Sequence, residues 1–185
     1  VTINISSPNT EGLRNFHRPE YLKELLSKIN QIREQSNFNK SFLLKISPDL
    51  NDSFISNIVQ LSLEYNIDGL ILTNTTDKNR QNLLDKKRNE KGGLSGKPIK
   101  DLSTDLIKKF NKELNGKIPI IGVGGVDSGQ SAFEKIAAGA SAIQLYTGMI
   151  YKGPTVVREI KKDLVGILKD RGFKNIEDAV GSGTS

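Results

Sequence analysis

Five short stretches of the chain are almost unbroken in apolar residues, at 2–6, 42–47, 69–74, 118–123 and 142–147. Continuous rather than alternating hydrophobicity is how strands buried on both faces of a parallel sheet read. Between and after them, apolar positions recur at helical spacing over 21–34, 53–65, 104–114, 131–138 and 155–169. The pattern therefore predicts a βα unit repeated five times. Helix starts are expected at Asp52-Ser53, Ser103-Thr104-Asp105 and Ser128, whose side chains can accept from free backbone N–H groups. Gly139 and Gly172 stand where C-terminal caps fall, and Pro8, Pro48 and Pro98 lie in loops after strands. A last helical turn is expected over 176–180, followed by a polar, flexible 181–185. The segment 76–102 exceeds ordinary connection length and reads as a lid or binding loop.

Parallel βα units build either an open doubly wound sheet or a (β/α)8 barrel. A whole barrel takes about 250 residues, so by count alone five units in 185 residues favour the open sheet. The polar residues reverse that preference. Every strand runs on its C-terminal side into small or hydrogen-bonding residues: Asn4, Ser6 and Ser7; Lys45 and Ser47; Thr73, Asn74 and Thr75; Gly122, Gly124 and Gly125; Tyr146 and Thr147. An open sheet uses mainly one switch point, whereas a barrel gathers all its strand ends round one mouth. The chain reads as α/β, five-eighths of a (β/α)8 TIM barrel. Val1 is not Met and stands directly at the first strand, so the sequence is expected to be a fragment of something longer.

Composition narrows the chemistry. With 36% hydrophobic and 26% charged residues the chain suits one soluble globular domain. The absence of Cys excludes disulfides, thiolate nucleophiles and Cys-ligated metals, and a single His excludes a multi-His metal site. That residue, His17, falls in a polar loop and is expected to be solvated and without a role. The net charge of +6 raises a nucleic-acid reading. The lysines, however, are scattered among Asp and Glu on helix faces, and without a basic stripe or aromatic platform that reading ranks last. No apolar stretch approaches the roughly 18 residues of a membrane span.

Four segments carry candidate chemistry. Ile118–Gly129 runs from strand through a glycine-rich turn into a helix, where free N–H groups favour a phosphate. Asp127 stands where a dinucleotide fingerprint needs its third Gly, so that reading fails, and a plain tight turn stays open as the alternative. Gly148 ends a second glycine-bearing strand, and paired loops of this kind frequently build a barrel's phosphate site. Gly92-Gly-Leu-Ser-Gly-Lys-Pro98 lacks the first Gly and the final Ser or Thr of a Walker loop, which removes nucleotide hydrolysis. Asn4–Thr10 and Asp68–Thr76 crowd amides and hydroxyls at two strand ends, either as local turns or as donors and acceptors for a planar ligand. Lys45 interrupts an apolar strand and needs an anion, a polar cavity or a path to solvent.

In order and spacing, Asn-Ile-Ser-Ser-Pro-Asn-Thr at 4–10, Lys-Ile-Ser-Pro-Asp-Leu at 45–50, Asp-Gly-Leu-Ile-Leu-Thr-Asn-Thr-Thr at 68–76, Gly-Gly-Leu-Ser-Gly-Lys-Pro at 92–98, Ile-Ile-Gly-Val-Gly-Gly-Val at 120–126 and Gln-Leu-Tyr-Thr-Gly at 144–148 closely resemble the dihydroorotate dehydrogenase family, in particular its quinone-dependent class. The resemblance covers nearly the whole chain. It implies that residues 1–185 are the C-terminal portion, about the last five βα units, of a single FMN-binding TIM-barrel domain. It also implies oxidation of dihydroorotate to orotate in pyrimidine biosynthesis, with FMN as cofactor and a quinone as final acceptor. Ser7 matches the family's catalytic base, Thr10 a proton relay through water, and Lys45 a cation beside the flavin. Asn4, Asn9, Asn74 and Thr75 match groups holding the orotate ring; Asn4, Lys45, Thr73, Gly96, Gly124, Gly125, Tyr146 and Thr147 match FMN contacts. About three further strands, and amphipathic helices that meet the membrane and quinone, precede this region in the family. The parent enzyme is thereby expected at the cytoplasmic side of a bacterial inner membrane or at the mitochondrial inner membrane, with no nucleic-acid partner and no metal. Two alternatives remain: another FMN-dependent barrel oxidoreductase acting on a different planar heterocycle, and a noncatalytic part-barrel fragment.

Overall fold

Residues 1–36, 40–78 and 80–184 are described by a computed structural model. The five apolar runs become strands β1 (Thr2–Asn4), β2 (Leu43–Ile46), β3 (Gly69–Leu72), β4 (Ile120–Val123) and β5 (Ala142–Gln144). All neighbours are parallel and the sheet order is β1-β2-β3-β4-β5. A doubly wound sheet reverses its strand order at the switch point. Here each strand lies beside the next in sequence, as in an arc of a barrel. The helices α1 (Pro19–Ser36), α2 (Asp52–Glu64), α3 (Lys100–Leu114), α4 (Gly129–Ala137) and α6 (Val156–Asp170) pack successively against one another outside that arc.

Strand alternation separates two faces. Leu44 pairs in register with Leu70, and Leu70 with Ile120; with Ile46 and Leu72 these side chains are buried in one cluster that includes Leu22, Leu26, Ile55, Ile58, Ile107 and Phe110 from the helices. The next row, Asn4-Lys45-Ile71-Ile121-Ala142, belongs to the opposite, concave face. The central Ile71 is covered by its neighbours, whereas Asn4 and Gln144 on the edge strands are exposed. The expectation of strands buried on both faces therefore holds for β3 alone; β2 and β4 bury alternate residues and leave the others half-buried, and the edge strands β1 and β5, with a neighbour on one side only, stay open.

Several local expectations shift for identifiable reasons. The N-cap of α2 is Asn51, whose Oδ1 accepts from Phe54 N–H at 3.0 Å. The helix start expected at Ser128 forms there, as a capping box with Ser131. Helix α3 starts at Lys100 rather than near Ser103, because the 3-10 turn Lys97–Ile99, with Pro98 setting its backbone, leads straight into it. Ser103 and Thr104 lie inside the helix, where their hydroxyls donate to Val123 O and Lys100 O. A sixth helix, α5 (Thr147–Lys152), occupies part of the run read as strand; it buries no residue and so leaves no periodic apolar signal. The 181–185 tail, read as flexible, is held at Gly181 and Gly183, whose N–H groups donate to Ile136 O and Ala137 O at the end of α4; Ser185 lies outside the described residues. These bonds satisfy carbonyls that a helix end leaves unpaired.

Phe110 is completely buried between α3 and the sheet. Phe110→Ala is expected to lower unfolding free energy by about 3–5 kcal/mol, read from urea denaturation, with the helical circular-dichroism signal of the folded state retained.

Candidate functional site

A parallel sheet delivers all its C-terminal strand ends to one rim, and a cavity of about 780 Å³ opens there. Lys45 enters it from β2, Thr73, Asn74 and Thr75 from the end of β3, Gly124 and Gly125 from the end of β4, and Tyr146 and Thr147 from beyond β5. Val123, Ile143 and Met149 supply apolar wall. Among the described residues no Asp, Glu or His lines the cavity, and its fixed charge comes from Lys45. No carboxylate pairs with Lys45 among the described residues, and burial lowers its pKa from the ordinary lysine value. A half-buried ammonium without a counterion is a site prepared for negative charge.

The long loop after β3 returns to this rim by a defined route. Thr76 and Leu94 exchange backbone hydrogen bonds of 3.2 and 2.6 Å, closing the excursion between them at its root. Within it the Arg80 guanidinium donates to the carbonyls of Arg88, Glu90 and Gly92. Gly93, Ser95 and Gly96 are thereby brought to the cavity wall, where Thr147 Oγ1 donates to Ser95 Oγ at 2.9 Å. Leu84 at the far end of the excursion is fully exposed.

Beside Lys45 the amides and hydroxyls knit together. Asn74 Nδ2 donates to Asn4 Oδ1 and to Ser6 Oγ, both at 3.1 Å, while Asn74 Oδ1 accepts from Thr75 N–H at 2.8 Å. Asn4 Oδ1 also accepts from Ser6 N–H and Ser6 Oγ. The loops after β1 and β3 are thus joined across the end of β2. Asn9 lines the cavity; its backbone N–H donates to Ser7 Oγ at 3.2 Å. Ser7 is half-buried at the rim and Thr10 is exposed beyond it; neither lines the cavity wall, and Asn4 reaches the wall only through Asn74. Tyr146 lines the cavity but is 75% exposed.

Two residues organise this rim from behind, and one of them corrects the sequence reading. His17, expected to be solvated, is 3% exposed. It sits in the 3-10 turn Leu13–His17, its Nδ1 bonding Arg14 O at 3.0 Å and its Nε2 accepting from Ser47 N–H at 3.2 Å, which makes it a neutral imidazole protonated on Nδ1. Burial lowers its pKa from 6.5, opposed by the hydrogen bond to Arg14 O and aided by the nearby Arg14 charge. A lone His in a polar loop carries no periodic signal, so only the tertiary position reveals it. Arg14, from the same turn, lies 3.2 Å from Asp49 Oδ2, donates to Asp77 Oδ1 at 2.9 Å and reaches Thr75 O. Thr76 Oγ1 donates to Asp49 Oδ1 at 2.6 Å. Loops after β1, β2 and β3 are therefore tied by one guanidinium. Among the described residues no group of three His, Asp or Glu could hold a metal ion.

Comparison with known proteins matches residues 1–168 to the family model described as dihydroorotate dehydrogenase. The mitochondrial dihydroorotate dehydrogenase (quinone) of Mus musculus is 48% identical over 183 residues, 98% of this chain and 46% of that protein. The dihydroorotate dehydrogenase (quinone) of Natronomonas pharaonis is 43% identical over 97% of this chain and 49% of that protein. A crystal structure of Eimeria tenella DHODH in complex with ferulenol superposes with a TM-score of 0.90 at 38% identity, covering 98% of this chain and 53% of that chain. The chain spans about half the length of the curated relatives it matches.

Because the folded pKa of His17 lies below its unfolded value, the folded protein binds fewer protons than the unfolded one once pH falls below about 6.5. Stability present at neutral pH is therefore lost as pH falls from there towards the lowered folded value. His17→Gln, measured by urea denaturation at about pH 7.5 and 5.5, is expected to lose less stability between the two than the unaltered chain; equal losses would remove His17 as the cause.

Proposed function

We propose that this chain, which belongs to the dihydroorotate dehydrogenase family, forms the C-terminal part of a single TIM-barrel domain that oxidises dihydroorotate to orotate in pyrimidine biosynthesis and passes the electrons to a quinone. The observation that carries this reading is one cavity in which an unpaired lysine, a glycine turn and a double amide–hydroxyl cluster meet. FMN fits that donor set: the Gly124-Gly125 turn suits a phosphate, and Lys45 suits the part of the ring that gains negative charge. When bound, FMN supplies the acceptor for the hydride leaving C6 of dihydroorotate.

The remaining work falls to the chain's own side chains. Asn4, Asn9, Asn74 and Thr75 orient a planar ring carrying alternating C=O and N–H groups, which amides match with both donor and acceptor. Thr73, Gly96, Gly124, Gly125, Tyr146 and Thr147, with Asn4 and Lys45, hold the cofactor. Ser7 takes the C5 proton. A serine hydroxyl is a weak base at its ordinary pKa, and the Asn9 N–H directed at Ser7 Oγ favours the charged oxygen. Thr10, exposed three residues on, passes the proton outward through water. Lys45 holds positive charge where the reaction deposits negative charge, in surroundings that screen it less than bulk water does. No helix of the described residues is long and apolar enough to cross a membrane; contact of the parent enzyme with a bacterial or mitochondrial inner membrane rests on other residues.

Anaerobic mixing of the protein at its natural length with FMN and dihydroorotate is expected to bleach the visible absorbance of the oxidised flavin; failure to bind FMN at all would overturn the reading. Ser7→Ala is expected to retain FMN and lose at least about a hundredfold in dihydroorotate oxidation, with full activity refuting the base assignment. Lys45→Met should leave the fold intact and slow flavin reduction by about a hundredfold in stopped-flow traces.

A further inference from the structure

Lys135, on α4, is completely buried. An ammonium in that position is costly to desolvate, and such groups are ordinarily met by a carboxylate. Among the described residues no carboxylate bonds this one: Lys135 Nζ donates to Lys100 O at 2.9 Å and to Thr104 Oγ1 at 2.7 Å. Thr104 Oγ1 in turn donates to Lys100 O at 2.8 Å, so three groups converge on the first turn of α3. Glu134, the adjacent acid on α4, pairs instead with the side chain of Lys100 at 2.9 Å. Burial pulls the pKa of Lys135 down to about 8, with Glu134, Asp101 and Asp105 acting in the opposite direction and Lys100 with it.

The first turn of α3 is the platform on which the glycine turn rests. A Cβ on Gly125 would lie 2.5 Å from Lys100 Cβ and 2.7 Å from Lys100 Cα, so the two main chains touch with no space for a side chain. A Cβ on Gly124 would lie 3.0 Å from Ser103 Cβ, and the Ser103 hydroxyl donates to Val123 O just before the turn. The chain leaves this turn through the Ser128 cap into α4, and Lys135 on that helix reaches back to Lys100 O beneath the turn. The loop of contacts is closed: strand end, glycine turn, α4, Lys135, α3, glycine turn.

We propose that Lys135 is a positioning residue for the Gly124-Gly125 turn, clamping the first turn of α3 to α4 and so holding the turn's backbone where it receives a phosphate monoester. The inference rests on the phosphate reading of the preceding subsection. An apolar residue could fill the same volume but could not restrain the Lys100 peptide, whose carbonyl fixes the height of the platform.

The test compares FMN with riboflavin, which lacks the phosphate, by fluorescence titration of the protein at its natural length, alongside its melting temperature. Lys135→Met is expected to weaken FMN binding about tenfold and to leave riboflavin binding unchanged, while Lys135→Gln, which keeps an N–H for Lys100 O, recovers most of the loss. Equal weakening of both flavins, or unchanged FMN affinity, overturns the positioning role. Should Lys135→Met not fold, Thr104→Val, which deletes one of the two acceptors, reads the same FMN-to-riboflavin ratio, and an unchanged ratio overturns the role. A parent protein that holds FMN no better than riboflavin overturns the phosphate reading and this inference with it; one that prefers FMN while the variants keep that preference overturns this inference alone.

Discussion

The parallel register that sets Asn4 beside Lys45, Lys45 beside Ile71 and Ile71 beside Ile121 governs everything chemical in this chain. Parallel strands in sequential order end on one rim, and alternation puts Lys45 on the concave face while Leu44 and Ile46 anchor its strand in the apolar layer beneath the helices. A shift of one residue in β2 would exchange these two sets, burying the lysine against Leu22 and Ile55 and turning leucine and isoleucine to the cavity. The burial of Leu44 and Ile46 is thus what commits the amine to the mouth. It also sets where the loops after β1 and β3 meet, since both must cross the end of β2.

That meeting is stabilised from the side away from the cavity. Arg14 draws Asp49, Asp77 and the Thr75 carbonyl together, and His17 takes up the Ser47 N–H that β2 leaves free at its end. Buried backbone donors require partners. At Ser47 the partner is an imidazole that fills this role only while it is neutral. The rim is therefore built from loops, yet Ser47 N–H, Asn74 N–H and Thr75 O each have a partner within the protein.

Strands and helices were legible in the sequence to within a few residues, because buried parallel strands and amphipathic helices imprint their periods on composition. Part of the cavity lining was legible as well, since a barrel concentrates polar residues at one end of otherwise apolar runs; Lys45, Asn74 and Gly124-Gly125 were each visible as interruptions, whereas Asn4, Ser7 and Thr10 lie off the cavity wall. What escaped was whatever depends on tertiary proximity alone. His17, Arg14 and Lys135 are polar residues whose sequence neighbourhoods look solvated, and they are drawn inward by partners 30 or more positions away, as in Ser47 N–H to His17 and Lys135 to Lys100 O. Helix α5 escaped for the opposite reason: none of its residues is buried, so it carries no apolar stripe. Helix α3 began early because Pro98 and a 3-10 turn supplied the start that Ser103 was expected to give.

The Asn74 side chain has every polar group engaged, its two N–H bonds on Asn4 and Ser6 and its oxygen on Thr75. A planar ligand that engaged this amide would take the place of one of these protein partners instead of stripping water from it. Such an exchange leaves the number of hydrogen bonds nearly constant, so its free energy reports the angle and spacing of the incoming groups more than their strength. The same neighbours keep the amide from rotating, which distinguishes its oxygen from its nitrogen before anything arrives. A ring that differs from another only in where a C=O and an N–H change places would therefore meet an amide whose orientation the protein's own contacts have already settled.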